Sequence, residues 1–161
     1  MKFLRHPSSH RLFLAFLQVY VLILLLFLVL PLAIAEESAQ RKWAGNWLVV
    51  GENDEQLVWQ LHADGTGFAY GFHNGGRLSH GFAINWKLQG DRVRVRTGAS
   101  LRCRGGVVAV AFTGWSPVTL DFSIVDGRHW LQDGGGLLSF QRRLGSWHTP
   151  RAGGKCPDLA G

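Results

Sequence analysis

The chain has 161 residues, a formal net charge of +6 and a hydrophobic fraction of 47%, but these averages merge two unlike segments. All seven Trp, all 21 Gly and all 11 acids lie after Ala35, so the remaining 126 residues keep a net charge of only +3. That length holds one domain with a real core and excludes two ordinary ones. The Gly content and the shortage of good helix formers oppose a helical bundle, and no second long apolar run follows to make a polytopic membrane protein.

Residues 1–35 come first. Met1–Arg11 is short and basic, Leu12–Leu30 is almost wholly aliphatic, Pro31 breaks the run, and Ala33-Ile34-Ala35 gives the small-x-small pattern read by a signal peptidase. The segment is expected to be a signal peptide cleaved before Glu36. The alternative is an uncleaved anchor in the inner membrane, because about 20 apolar residues can span a bilayer. In both readings Lys2, Arg5 and Arg11 stay in the cytoplasm and the rest is exported, to the periplasm or beyond. The membrane is then met only through this segment. Residues 36–44 read as a linker.

Beyond the linker, period-2 alternation recurs and helical spacing does not. Leu57, Trp59 and Leu61 alternate with wetter neighbours, as do Phe68, Tyr70 and Phe72, then Phe82, Ile84, Trp86 and Leu88. Val93 and Val95 alternate with Arg92, Arg94 and Arg96, and Val118, Leu120, Phe122 and Ile124 with Thr119, Asp121 and Ser123. Each run predicts a strand with one apolar and one wet face. Further runs at 46–51, 106–112, 128–132 and 136–143 bring the number to eight or nine. Asp64-Gly65 and Asn74-Gly75 are hairpin signals, read as two-residue type I′ turns, and Gly90-Asp91, Asp126-Gly127 and Asp133-Gly134 are further turn candidates. The fold class expected is all-β, an antiparallel up-and-down barrel over residues 45–143, because closure removes unpaired edges. An open sandwich is the alternative. Residues 144–161 read as a Gly/Pro-rich tail.

Cys103 and Cys156 could close a loop of about 54 residues in an oxidising compartment, worth roughly 4 kcal/mol on chain-entropy grounds. Such a bond ties the tail to the barrel. No C-x-x-C redox or zinc pattern is present.

The ordered motifs resemble the lipocalin-like small barrels of bacterial envelope proteins. Gly45-Asn46-Trp47 is similar to the Gly-x-Trp signature that opens the first lipocalin strand. Leu61-His62-Ala63-Asp64-Gly65-Thr66-Gly67 resembles a hairpin of the bacterial group, and Trp86 with Gly90-Asp91-Arg92-Val93 its next one. The resemblance implies that Arg142 or Arg143, on the last strand, packs over Trp47 and closes the barrel. The exported part is shorter than ligand-carrying lipocalins, lacks their Thr-Asp-Tyr-like motif and has no long helix after the barrel, so fold is implied more firmly than transport.

Three constellations carry the functional expectations. The aromatic residues Trp59, Phe68, Tyr70, Phe72, Phe82, Trp86, Phe122 and Phe140 are expected to face the lumen. Of these, Trp59, Tyr70, Phe82, Trp86 and Phe122 are the candidate site for a small apolar or amphipathic ligand, against the alternative of a solid aromatic core. Arg92, Arg94 and Arg96, a turn over Thr97–Leu101, then Arg102 and Arg104 form a candidate basic face. If Arg96 opposes Arg102 and Arg94 opposes Arg104, the repulsion is relieved by an anionic lipid head group or an acidic protein surface. The simpler reading is a solvated strand face. Nucleic acid is not expected as a partner, since the domain is exported and no aromatic–basic stacking motif accompanies the arginines.

The histidines His62, His73, His80, His129 and His148 have no metal-ligand spacing, so neither a metal nor a cofactor is expected. No Gly-x-Ser-x-Gly elbow occurs, Ser116, Ser123 and Ser139 have no evident base, and the acids Glu52, Asp54, Asp121 and Asp133 show no distinctive pairing. No catalytic residue is nominated and the protein is read as a non-enzyme.

Overall fold

The computed structural model describes residues 8–74, 76–114 and 118–159; the side chains of 8–12, 30–34 and 36 are not described. Gly75 of the predicted Asn74-Gly75 turn and Ser116 therefore lie outside the described residues. The chain divides into two compact units between Glu37 and Ser38. A helix, α1 (Ser8–Trp43), runs through the division. In the first unit its apolar side chains from Phe13 to Val29 are exposed. Among the described residues no helix is long and apolar enough to cross a membrane.

The second unit begins with the last turns of α1, where sequence reading placed a linker. Among the described residues nine strands follow: β1 (Gly45–Val50), β2 (Gln56–Leu61), β3 (Thr66–Phe72), β4 (Leu78–Gln89), β5 (Arg92–Arg104), β6 (Val107–Phe112), β7 (Thr119–Ile124), β8 (His129–Gln132) and β9 (Leu137–Leu144). All pairings are antiparallel. Eight strands close into a ring in the order β1-β2-β3-β4-β5-β7-β8-β9 and back to β1, while β6 lies outside the ring on β5. The expected closed barrel is present, with one strand added beside it.

Turn chemistry explains several of the corners, with one revision. At Asp64-Gly65 only Gly65 has positive φ, and the Gly65 N–H donates to the His62 carbonyl oxygen at 3.1 Å. This is a three-residue loop ending in a left-handed glycine, not the type I′ turn expected. Two consecutive left-handed residues, the type I′ requirement, occur instead at Gly105 (φ 60°) and Gly106 (φ 81°), joining β5 to β6.

The largest revision concerns β5. Residues 97–101 do not turn; the strand runs straight through them, so Arg96 does not oppose Arg102 and Arg94 does not oppose Arg104. Arg94 instead stands beside Lys87 and Asp121, and Arg104 beside Val107. Phe82 pairs with Ser100 while Ile84 pairs with Thr97, so β5 carries one extra residue there. That bulge turns the second half of the strand over. Arg92, Arg94 and Arg96 face outward, whereas Arg102 shares its face with His80, Gly71 and Leu57, the lumen side of the sheet.

Two cores result. The lumen holds Val49, Trp59, Leu61, Ile84, Trp86, Leu88, Val93, Val95, Phe122, Trp130 and Phe140, with Ala39 and Trp43 of α1 packed against them. Ala39 and Trp43 are one helical turn apart and so present one face to the barrel. The second core lies on the outside of the wall. Val58, Tyr70, Phe72, Leu78 and Val108 are buried there beneath Trp147, Cys156 and Leu159 of the C-terminal segment. That segment is a strap, not a loose tail. Val108 exchanges hydrogen bonds with Gly153 and Gly154, Leu159 donates to the Gly76 carbonyl oxygen, and Cys103 and Cys156 form a disulfide with Cα atoms 5.8 Å apart.

Candidate functional site

Aromatic rings pack against one another inside the barrel. Trp130 and Phe140 have ring centroids 4.5 Å apart, and Trp59 stands edge-on to Phe122, Trp130 and Phe140 at 5.8–6.5 Å. Trp43 closes one end, 5.2 Å from Trp130 and 5.1 Å from Phe140. Such offset and edge-to-face contacts are the arrangement aromatic quadrupoles favour in a solid core. Of the five residues expected to hold a ligand there, Trp59, Phe82, Trp86 and Phe122 belong to this core and Tyr70 does not. Tyr70, Phe68 and Phe72 face the strap. The physical reason lies in β3: Trp59 pairs with Ala69 and Leu57 with Gly71, so small residues face the lumen and make room for indole rings. The aromatic residues of β3 are thereby left to the outer face, where the strap covers them.

The Trp86 indole N–H points to the carbonyl oxygens of His62 and Thr66 at 3.2 and 3.1 Å and so locks the β2–β3 corner. The indole N–H groups of Trp59 and Trp130 are buried without a hydrogen-bond partner among the described residues.

The expected basic face is divided, and two of its arginines meet acids. Arg94 grips Asp121 with two hydrogen bonds, from Nε at 2.7 Å and Nη2 at 3.1 Å, and Arg92 meets Asp133 at 3.4 Å. The Arg94 grip holds the Asp121 carboxyl below its ordinary range. Arg102 and Arg104, turned to the other face, cannot join these residues in a ribbon.

A cationic groove that sequence reading missed lies at the α1 end of the barrel. Its volume is about 490 Å3, and Trp43, Trp47, Phe140 and Ile124 give it an apolar floor. Lys42, Arg128, Arg142 and Arg143 supply four cations, and among the described residues no acid lines it. Each wall is positioned by a backbone feature. Asp126 accepts hydrogen bonds from the N–H groups of Arg128 and His129 at 3.1 and 3.0 Å, fixing the β7–β8 turn. The Phe140 N–H then donates to the Arg128 carbonyl oxygen. Opposite, β9 bulges where Leu48 pairs with Arg142 and Val49 with Phe140, so Gln141 is the extra residue. The bulge sets Arg143 on the same face as Trp47 and Phe140 and leaves Arg142 on the face of Leu48. Trp47, Ile124, Phe140, Arg142 and Arg143 carried a sequence signal; Lys42 falls in the expected linker and Arg128 at the start of an expected strand run, and neither was singled out.

Arg143 pairs directly across from Trp47. Its guanidinium carbon sits 4.8 Å from the centroid of the Trp47 ring. Gly45 permits this: a Cβ there would lie 3.1 Å from the Arg143 Nε. Arg142 lies beside Leu48.

The histidines are dispersed. His62 meets Thr66, His80 meets Ser79, and His129 meets Asp126, each on a different turn or strand. Among the described residues no three His, Cys, Asp or Glu side chains gather where a metal could be held.

Comparison with known proteins returns no match: no family model, no curated protein and no solved structure is similar to this chain. The class defined by the coordinates is therefore a closed eight-stranded antiparallel barrel with a disulfide-anchored strap.

Proposed function

We propose that this protein is an exported, non-catalytic binding barrel whose ligand is a small anionic amphiphile held in the groove at the α1 end. One observation carries the reading: Lys42, Arg128, Arg142 and Arg143 and, among the described residues, no acid surround an aromatic floor. An apolar tail lies on Trp43 and Trp47, and a phosphate or carboxylate head group meets Arg128, Arg142 and Lys42. Arg143 holds the floor in shape.

The lipocalin resemblance belongs to this reading. It is supported by the Gly45, Trp47 and Arg143 arrangement and by barrel closure, and it shifts the ligand from the lumen, where lipocalins carry theirs, to the barrel end. Export through a signal peptide cleaved before Glu36 is likewise part of the proposal, and the disulfide is compatible with an oxidising compartment. No nucleic acid is invoked as a partner.

The test is titration of intrinsic Trp fluorescence with dodecyl phosphate and with zwitterionic dodecylphosphocholine. Saturable binding of the phosphate, at least about tenfold tighter than the zwitterion and lost in Arg128→Glu/Arg142→Glu, is expected. Equal binding of both amphiphiles, or unchanged binding by the double variant, would sink the groove reading.

A further inference from the structure

A second groove, of about 670 Å3, opens onto the disulfide itself. Both Cys103 and Cys156 line it, together with the cations Arg77 and Lys155, His73 and one acid, Asp158. Both cysteines are partly exposed. On one side the wall is the β5–β6 turn, where Gly105 and Gly106 present bare backbone with open space around their Cα atoms. On the other, Leu78 donates to the Pro157 carbonyl oxygen and Arg77 bridges to Asp158, so the strap is held beside the start of β4. Lys155 precedes Cys156 and is bridged to Val107, which keeps its ammonium-bearing residue next to the sulfur.

We propose that Cys103–Cys156 is a thiol–disulfide exchange site, entered through this groove and selective for small thiols that carry negative charge. The reagent thiolate attacks one sulfur; a new S–S bond forms to that cysteine, the Cys103–Cys156 bond breaks, and the other cysteine leaves as a thiolate. A second reagent thiolate then attacks the reagent sulfur of the mixed disulfide, releasing oxidised reagent and the second protein thiolate. Two reagent thiols are oxidised and one protein disulfide is reduced. Arg77 and Lys155 attract the anionic reagent and stabilise the departing thiolate, which is how cationic surroundings activate cysteine chemistry.

Exchange has a structural readout. The disulfide is the covalent tie of the strap to β5, and the strap covers Tyr70, Phe72 and Leu78. Once reduced, the strap is retained by hydrogen bonds such as Gly153 to Val108 and Cys156 to Gly106. The redox state of this groove therefore sets how firmly the outer core is covered.

The experiment follows reduction of the oxidised full chain by mass spectrometry with mercaptoethanesulfonate, mercaptoethanol and cysteamine, each rate corrected for thiolate fraction. At low ionic strength the sulfonate is expected to react fastest and the amine slowest, with about a two- to fivefold step between neighbours. The three rates converge at high salt, and in Arg77→Gln/Lys155→Gln they converge at low salt too. Salt dependence in the unsubstituted chain gives the same reading should the double variant fold poorly. Equal rates for all three thiols at low salt overturn the proposal, as does reduction that occurs only under globally unfolding conditions.

Discussion

Arg143 donates from Nη2 to the main-chain oxygens of both Lys42 and Ala44, each at 2.9 Å, while its guanidinium lies over Trp47. Trp47 in turn donates its indole N–H to the Trp43 carbonyl oxygen at 2.8 Å. The two side chains together satisfy carbonyls at the C-terminus of α1, which an α-helix leaves without internal partners and where a cation is favoured. The β1–β9 seam and the end of α1 are thus tied together by the same two side chains.

Arg143→Ala is expected to lower stability by about 1–2 kcal/mol, combining a lost cation–π contact with lost charged hydrogen bonds at an exposed site. Arg143→Lys should recover less than half, because an ammonium cannot reproduce the planar fork. Urea denaturation of the three proteins measures this; equal midpoints for Arg143→Lys and the unsubstituted chain would refute it.

Trp130 is fully buried among the rings of the lumen core. Trp130→Ala should cost about 3–5 kcal/mol, since its neighbours Trp59, Phe122 and Phe140 are held by the surrounding ring of strands and close the space only partly. Thermal unfolding with and without added indole checks the account: indole should restore part of the lost midpoint in the variant and leave the unsubstituted chain unchanged.

The buried phenol of Tyr70 reports on the strap. Burial pushes its pKa above the ordinary 10.0, and Thr149 acts in the opposite sense. Because the folded value is raised, the associated stability is fully present below about pH 10 and is lost as pH rises towards the folded value. Trp147→Ala admits water beside Tyr70 and should bring its ionisation down towards 10, as read by ultraviolet absorbance titration. An unmoved Tyr70 titration would mean that the strap does not control its environment.

Acid stability rests on three turn and strand carboxylates. Asp64 is held low chiefly by the Thr66 hydroxyl, Asp121 by Arg94 and Asp126 by His129. Their folded pKa values lie below the ordinary 3.8, so their stabilisation is present above about pH 4 and is lost as pH falls through the lowered values. Thermal midpoints should decline below pH 4, and Asp64→Asn/Asp121→Asn/Asp126→Asn should show a flatter decline from a lower plateau.

The strands were legible because alternation is a local property: Phe82, Ile84, Trp86 and Leu88 follow each other two residues apart whatever they touch. Arg92 to Arg104 shows where that logic stops. All five arginines sit at even positions, which by parity alone share a face, and one extra residue between Thr97 and Ser100 separates them. Tyr70 failed for a related reason. A strand buried on both faces still alternates, and alternation does not say which face is the lumen.

By itself, then, the amino-acid order determined an antiparallel barrel, many of its corners and the cysteine pair, all of which follow from side-chain period, turn conformations and residue type. Only the tertiary structure decided which aromatic rings pack together inside the barrel, that the tail roofs an outer core, and that Lys42, Arg128, Arg142 and Arg143 line one groove. Those outcomes depend on bulges, volumes and distant chain segments arriving at the same place, and no local pattern encodes where a segment about 100 residues away will come to rest.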